Sequence, residues 1–347
     1  MRHHVVGKCA HRGAVAGFCG ALLVGAPFAA AAQPPQAADA VREPVETRAQ
    51  LRSQSLLACP TTLDQIGRVV IPVEINGRGP FRFVIDTGAN HSTVSPKLVR
   101  TVGLPISANT QIDLEGVTGS NSTPAVKIRS LRAGALVIRN TYAPVLSTPM
   151  MAGADGILGI AGLRNMTLLV NFEHNRVRIA RFLEPDVRFD YSRVHTEVVS
   201  GGLMAIPSYV GDVKALAIID TGSERTLGNM ALRNMLHMRH APGTPEPITF
   251  VYGATRQVEI GQLMTSPPIA VGPLRVLGAA MIFGNFHIFK VWGLQKRPAI
   301  ILGMDVLGTV RALGFDFPQH ALFVAGARQG NNPAFRARAY QTSSAIH

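Results

Sequence analysis

Two carboxylates in this chain stand at the ends of apolar runs, and each is followed at once by Thr and Gly. Residues 83–85 lead into Asp86-Thr87-Gly88, and residues 216–219 lead into Asp220-Thr221-Gly222. A single triplet of this kind is compatible with an ordinary turn that an Asp initiates between two strands. Two carboxylates brought together would instead share one proton, so that one could act as a base and the other as an acid on a water molecule.

The two triplets belong to a longer repeat. Ile71-Pro72 recurs as Ile206-Pro207, and Ile157-Leu158-Gly159 recurs as Ile301-Leu302-Gly303, in the same order relative to the triplets. The separation between matching residues drifts by small steps along the chain, which is typical of a duplicated unit with small loop insertions. The sequence therefore predicts two homologous halves, each with one Asp.

The elements that must position these residues are mostly strands. Residues 69–75 are followed by Asn76-Gly77, which predicts a strand that runs into a tight hairpin, and residues 80–85 return toward the first triplet. Short helices are predicted at 95–102 and 230–238. Many short strands with frequent Gly and Pro favour an all-β protein of the barrel type over a parallel α/β fold.

These motifs resemble the aspartic peptidases of the retropepsin and pepsin type. The resemblance rests on the paired Asp-Thr-Gly turns and on the segments 157–160 and 301–307, and it covers roughly residues 64 to 325. It implies two homologous closed-barrel lobes, at 63–190 and 191–326, with a catalytic cleft between them. The sequence departs from a strict repeat at Ala161, which stands where the second half has Asp305.

The resemblance also implies roles for individual residues. Asp86 and Asp220 would activate a water to hydrolyse a peptide bond, without a covalent intermediate, metal or cofactor. The threonine hydroxyls would join the two turns, and the glycines would donate to the carboxylates or leave room beneath them; these supporting residues are Thr87, Gly88, Gly159, Thr221, Gly222 and Gly303. Because one chain supplies both Asp residues, a monomer is predicted, with a polypeptide as its substrate.

Two hairpins are candidates for the flaps that cover substrate in the resembled family. The first spans residues 112–120 and has Gly116 and Gly119 near its tip, and the second spans residues 248–255 with Tyr252 and Gly253. Either could equally be an ordinary surface hairpin. Tyr252 could hydrogen-bond into the site or be a half-buried strand tyrosine.

The chain begins with a basic segment, an apolar stretch and an Ala-rich end, which predicts a signal peptide at 1–32 and an exported, periplasmic or secreted protein. The alternative is a retained membrane anchor. Residues 33–62 are predicted to be a flexible spacer, and residues 327–347 a disordered tail. Cys59 would be the one thiol left after cleavage, and we interpret it as unpaired.

The net charge of +13 is strongly basic, which favours an anionic envelope surface as a further partner. Nucleic acid is disfavoured, because the bases are dispersed and aromatic residues make up only 6% of the chain. Motifs for zinc hydrolysis, nucleotide phosphates and serine hydrolysis are absent from the sequence. The sequence thus predicts an exported aspartic endopeptidase; the alternative is an inactive binding or scaffold protein of the same fold.

Overall fold

The protein is described from a computed structural model. The structure describes residues 59–64, 66–147, 151–182, 191–238 and 247–327. The predicted signal peptide, the predicted spacer up to residue 58, and the predicted tail beyond residue 327 lie outside these residues. Within them, no helix is both long enough and apolar enough to cross a membrane.

The described residues form mostly β-strands, as the sequence predicts. In chain order the strands are β1 (Cys59–Pro60), β2 (Thr62–Leu63), β3 (Val69–Ile75), β4 (Arg78–Ile85), β5 (Thr93–Val94), β6 (Ile106–Gly116), β7 (Gly119–Ala133), β8 (Leu136–Pro144), β9 (Gly156–Leu158), β10 (Thr167–Asn171), β11 (Arg176–Ala180), β12 (Ser192–His195), β13 (Glu197–Val199), β14 (Leu203–Val210), β15 (Val213–Ile219), β16 (Thr226–Asn229), β17 (Ile248–Tyr252), β18 (Val258–Thr265), β19 (Ile269–Val271), β20 (Leu274–Val276), β21 (Ala280–Gly284), β22 (Ala299–Leu302), β23 (Val310–Asp316) and β24 (Ala321–Ala327).

The helices of the described residues are short. They are α1 (Pro96–Val102), α2 (Met230–Met235), α3 (His287–Val291) and α4 (Met304–Leu307), with 3-10 turns at Ile160–Gly162 and Ser200–Gly202. The helices predicted at 95–102 and 230–238 correspond to α1 and α2. Each begins at a polar residue whose side chain accepts a hydrogen bond from the first turn, Ser95 for α1 and Asn229 for α2.

Two sheets repeat one arrangement. In sheet I, ordered β5-β9-β4-β3-β7-β6, the antiparallel hairpin β3–β4 is followed by β9, which lies parallel to β4. In sheet II, ordered β17-β18-β21-β16-β22-β15-β14-β19-β20, the hairpin β14–β15 is followed by β22, which lies parallel to β15. The tight turn between β3 and β4 is at Asn76 and Gly77, which both have positive φ (53° and 77°) as a type I′ turn requires.

The predicted closed barrels are not found among the described residues, because the last hairpin of each half pairs with that of the other half. Sheet III has the order β1-β11-β10-β23-β24-β12, and its central pairing joins β10 to β23. Cys59–Pro60, at the end of the predicted spacer, pairs with β11 in sheet III.

The largest apolar cluster runs through both halves. It contains fully buried residues from the strands that lead to the two triplets, such as Phe83, Ile85 and Ile219, together with Leu313 and Phe315 of sheet III. Burying a side chain of this size contributes about 1.5–3 kcal/mol. The strand ends that carry the two Asp residues are therefore anchored in a common core.

Asn229 provides a test of how α2 is held. Its buried side chain accepts from Leu232 N at 2.9 Å and donates to the carbonyl oxygens of Leu294 and Arg297, both at 2.7 Å. We expect Asn229→Ala to lower the free energy of unfolding by about 3 kcal/mol, because it removes a helix cap and leaves buried carbonyls unpaired. Ser95→Ala, which removes only a cap, should cost about 1 kcal/mol. Urea unfolding of both variants measures this, and equal losses would contradict it.

Candidate active site

Equivalent strand ends deliver the two carboxylates. Asp86 follows β4 directly, and its N–H donates to the carbonyl oxygen of Leu158 on the parallel strand β9 at 3.1 Å. Asp220 follows β15, and its N–H donates to Leu302 on β22, also at 3.1 Å. Each Asp is therefore held to the Ile-Leu-Gly segment of its own half, in the same way.

Four hydrogen bonds tie the two turns to each other. The N–H of Thr87 donates to the hydroxyl of Thr221, and the N–H of Thr221 donates to the hydroxyl of Thr87, both at 3.1 Å. Each hydroxyl in turn donates to the strand that precedes the opposite Asp, Thr87 to Ile219 O at 2.7 Å and Thr221 to Ile85 O at 2.8 Å. Both threonines are buried, so these bonds are sheltered from water.

Gly88 and Gly222 let the carboxyl groups come together. A Cβ on Gly88 would lie 2.6 Å from both carboxyl oxygens of Asp220, and a Cβ on Gly222 would lie 2.5 Å from Oδ1 of Asp86. Each glycine also donates its N–H to the Asp of its own turn, Gly88 to Asp86 Oδ1 at 2.9 Å and Gly222 to Asp220 Oδ1 at 2.8 Å. Any side chain at either position would push the opposite carboxyl away.

Gly159 and Gly303 support the turns from beneath, where the backbone of each Asp-containing loop passes closely. A Cβ on Gly159 would lie 2.6 Å from the carbonyl carbon of His91, and one on Gly303 would lie 2.5 Å from that of Arg225. This approach allows Ile160 N to donate to Ala89 O at 2.9 Å, and Met304 N to Ser223 O at 2.8 Å.

The two halves differ in their hydrogen bonds at Ala161, which stands where the second half has Asp305. In the second half, the carboxylate of Asp305 accepts from both the N–H and the hydroxyl of Thr226, at 3.0 and 2.7 Å, and the same hydroxyl accepts from Gly303 N at 3.2 Å. In the first half, the hydroxyl of Ser92 accepts from Gly159 N at 3.1 Å. The hydroxyl is thus present in both halves, and only its acidic partner is missing from the first.

The two carboxyl groups hydrogen-bond to each other and titrate as a pair. Burial raises the pKa of Asp86, against the hydrogen bond with Asp220, the charge of Arg68 and the N–H groups of Gly88 and Ala89. Burial also raises the pKa of Asp220 well above its ordinary value, and the Asp86 carboxyl adds to the rise by charge and by hydrogen bonding. A pair that retains one proton can act as both an acid and a base; aspartic proteases are the standard illustration of such pairs.

The pair lies in the wall of a cavity of about 250 Å³. Most of the other wall residues are apolar and come from several elements of both sheets; they include Ile157, Leu227, Phe250, Ile282, Ile288 and Trp292. The charged wall residues besides the pair are Arg68, Glu115, Glu224 and Arg225.

The two predicted flap hairpins meet at their tips beside this cavity. The hydroxyls of Thr118 and Thr255 are buried and lie 2.9 Å apart, and Gln257 donates to Ser120 O at 3.1 Å. Of the four predicted flap residues, Gly116, Tyr252 and Gly253 line the cavity. Gly119 does not appear in the cavity wall; it packs against Gln257, where a Cβ would lie 2.9 Å from that side chain.

Sequence reasoning missed two side-chain pairs at the site. Glu115, at the end of β6, contacts His287 of α3, with Oε2 and Nε2 2.7 Å apart. Arg68 is buried and pairs with Asp64, with Nε and Oδ2 2.8 Å apart. The spacing Asp64-x-x-x-Arg68 is visible in the sequence, but nothing local distinguishes it from a pair of surface charges. Glu115 and His287 are far apart in sequence and carry no joint signal.

The described residues contain no group of three or more His, Cys, Asp or Glu side chains arranged to hold a metal ion. The groups that the site does contain, the carboxyl pair, can act as an acid and a base.

Comparison with known proteins adds one finding. Residues 71–161 match the family model described as aspartyl protease. The matched segment contains the first Asp-Thr-Gly turn, the first predicted flap hairpin and Gly159. No curated protein matches the chain. The match supports an aspartyl protease family for this chain.

Proposed function

We propose that this protein is an exported aspartic endopeptidase in which Asp86 and Asp220 activate the water that hydrolyses a peptide bond. The observation that carries the proposal is the hydrogen-bonded carboxyl pair, which opens into a largely apolar cavity and is fixed by the bonds between Thr87 and Thr221. The aspartyl protease match across residues 71–161 supports it independently.

In this proposal the two halves of the repeat, residues 63–190 and 191–326, are the two lobes of a single-chain enzyme. Each supplies one Asp at the end of an equivalent strand, so no second chain is required for a complete pair. The repeated arrangement of β3, β4 and β9 in sheet I, and of β14, β15 and β22 in sheet II, supports this division.

The reaction needs only the groups of the pair and a water. The ionised carboxylate accepts a proton as the water oxygen attacks the carbonyl carbon, and the protonated carboxyl donates its proton to the carbonyl oxygen. The product of this step is a neutral tetrahedral diol. In the breakdown of the diol the C–N bond breaks, the now protonated carboxyl donates its proton to the amine nitrogen, and the ionised carboxylate accepts a proton from a diol hydroxyl, which restores the pair.

In this proposal the hairpins open to admit an extended peptide to the cavity of about 250 Å³. The contacts that join them to each other and to α3, between Thr118 and Thr255 and between Glu115 and His287, would break and re-form in that opening. A peptide held in this way would align as an added strand, with main-chain hydrogen bonds for affinity.

Export and attraction to an anionic envelope surface complete the proposal. They are supported by the basic and apolar N-terminal pattern and by the net charge of +13. The rival is an inactive scaffold with the same fold. The hydrogen-bonded pair with intact Thr and Gly neighbours favours the enzyme, because loss of catalysis usually shows at the catalytic residues.

Replacing either carboxylate by its amide should abolish cleavage. We expect Asp86→Asn and Asp220→Asn each to lower kcat by about a thousandfold or more, because the amide can neither accept the water proton nor release its own. Digestion of a peptide library measures this, and Asp212→Asn, at an exposed turn, is the matched control. Full activity in both Asp86→Asn and Asp220→Asn would exclude the proposed mechanism. Absence of any product from the wild-type protein between acidic and neutral pH would favour the inactive scaffold.

Above the ordinary Asp range, activity should pass through a maximum as pH rises, whereas the stability of the fold should only fall. Catalysis needs one shared proton, so the rate should rise as the pair loses its first proton and fall as it loses the second; the raised pKa of Asp220 extends this window to higher pH. A buried carboxyl with a raised pKa stabilises the fold only while protonated, so its contribution is lost as pH rises through the folded pKa.

Accordingly, Asp220→Asn should raise Tm by a few degrees at neutral pH, and the gain should disappear as pH falls below the ordinary value of 3.8. Calorimetry across this range tests the sign. A variant that is less stable than wild type at neutral pH would contradict it.

The apolar wall predicts the cleavage preference. We expect cleavage between apolar residues, because Phe250, Ile282 and Ile288 offer no charged partner to the side chains on either side of the cut. A peptide with a non-cleavable hydroxyl in place of the scissile carbonyl should inhibit, because the hydroxyl resembles the diol. The control inhibitor carries a methylene at that position and should bind more weakly. Mass spectrometry maps the cut sites, and clustering at Lys, Arg or Asp would refute the preference.

A further inference from the structure

The environments of Asp86 and Asp220 are closely symmetric, with one exception. Each carboxyl accepts from the backbone of its own turn, Asp86 from Gly88 and Ala89, and Asp220 from Gly222 and Ser223. The cross-bonds of the two threonines match as well, at 3.1 Å in both directions. Backbone donors and threonines therefore do not distinguish one carboxyl from the other.

The exception is Arg68. The register of the strands identifies its counterpart: Val70 faces Val84, two residues before Asp86, and Ala205 faces Ile218, two residues before Asp220. Two residues before Val70 is Arg68, and two residues before Ala205 is Leu203, which is fully buried. One half of the repeat thus places a cation beside the cavity where the other half places an apolar side chain.

Arg68 is held rigidly at this place. Its side chain is only 1% exposed, and it lies in the cavity wall. Oδ2 of Asp64 accepts from its Nε at 2.8 Å, and Oδ1 of Asp64 accepts from the backbone N–H groups of Ile66 and Arg68 at 3.0 and 2.8 Å. Nη2 also lies 2.8 Å from Asp64 Oδ2 but makes no well-directed hydrogen bond, so the guanidinium keeps donor capacity.

The other charged groups of the cavity wall do not favour the ionised form of one carboxyl as Arg68 does. Glu115 is engaged by His287, and Arg225 lies 3.6 Å from Glu224 in the second half. The charge of Arg68 favours the ionised form of Asp86, whereas the charge that acts on Asp220 is that of Asp86 itself, which disfavours ionisation. A buried cation acts strongly on a nearby carboxylate because little water screens it.

We propose that Arg68 is a positioning residue that makes the pair asymmetric, with Asp86 as the ionised base and Asp220 as the protonated acid. This rests on the proposed function and assigns the two roles within it. The proton of the water goes to Asp86, the water oxygen bonds to the carbonyl carbon, and the proton of Asp220 goes to the carbonyl oxygen. The step leaves Asp86 neutral and Asp220 ionised, so charge and protons balance.

The first experiment uses carboxyl carbon NMR and needs no catalysis. In Asp220→Asn the remaining Asp86 should titrate about one pH unit below the remaining Asp220 in Asp86→Asn, because only Asp86 has the cation beside it. Adding Asp64→Asn and Arg68→Met to each variant should remove this difference. Each of these variants carries three substitutions, and replacing Asp64 together with Arg68 leaves neither member of that buried pair without its partner. Equal titration of the two single variants, or a difference that persists without Arg68, would overturn the proposal.

The second experiment is the pH dependence of kcat/KM on a short apolar peptide. Asp64→Asn/Arg68→Met should move the acid limb of the profile up by about one pH unit, because Asp86 then ionises less readily. The control is Glu74→Gln/Arg132→Met, which removes an exposed pair with the same charges and should leave the limb in place. An unchanged acid limb in the folded Arg68 variant would overturn the proposal. If wild type cleaves no peptide, the proposed function fails, and the NMR titration still decides the role of Arg68.

Discussion

The reciprocal hydrogen bonds between Thr87 and Thr221 are the constraint on which the rest of the site depends. They join two turns that lie more than a hundred residues apart in the chain, and each hydroxyl also reaches the carbonyl of the strand before the opposite Asp. Two neighbouring carboxyl groups repel when both are ionised, and burial raises the pKa of each. The two carboxyl groups stay together because the buried hydrogen bonds of the threonines hold the two Asp-Thr-Gly turns against each other.

This arrangement sets function against stability. A buried carboxyl pair lowers the stability of the fold at any pH at which its second proton dissociates. The common apolar core that anchors both strand ends offsets this loss of stability. The same burial keeps one proton on the pair, which acid and base catalysis needs. The glycines at 88 and 222 contribute by absence of a side chain, since a methyl group at either position would displace the opposite carboxyl.

Duplication accounts for the symmetry of the site, and its departures show where the halves have diverged. The first half has Arg68 where the second has Leu203, and it lacks an equivalent of Asp305. The hairpins differ too: the first contributes the acid Glu115 to the cavity wall, whereas the second contributes the apolar Phe250. The two halves therefore present chemically different side chains to the cavity.

The sequence by itself determined the strand-rich class, the repeat, the Asp-Thr-Gly turns and the glycines beneath them, because each is written in consecutive residues: an apolar run, a turn with special backbone requirements, and a recurrence in order. Only the tertiary structure decided that the terminal hairpins share sheet III instead of closing barrels, that the tips at Thr118 and Thr255 meet, that Glu115 contacts His287, and that Arg68 lies beside the cavity. These features are pairings between distant segments. Their energies depend on which strand edges and side chains the packed core brings together, and no local pattern of residues records that choice.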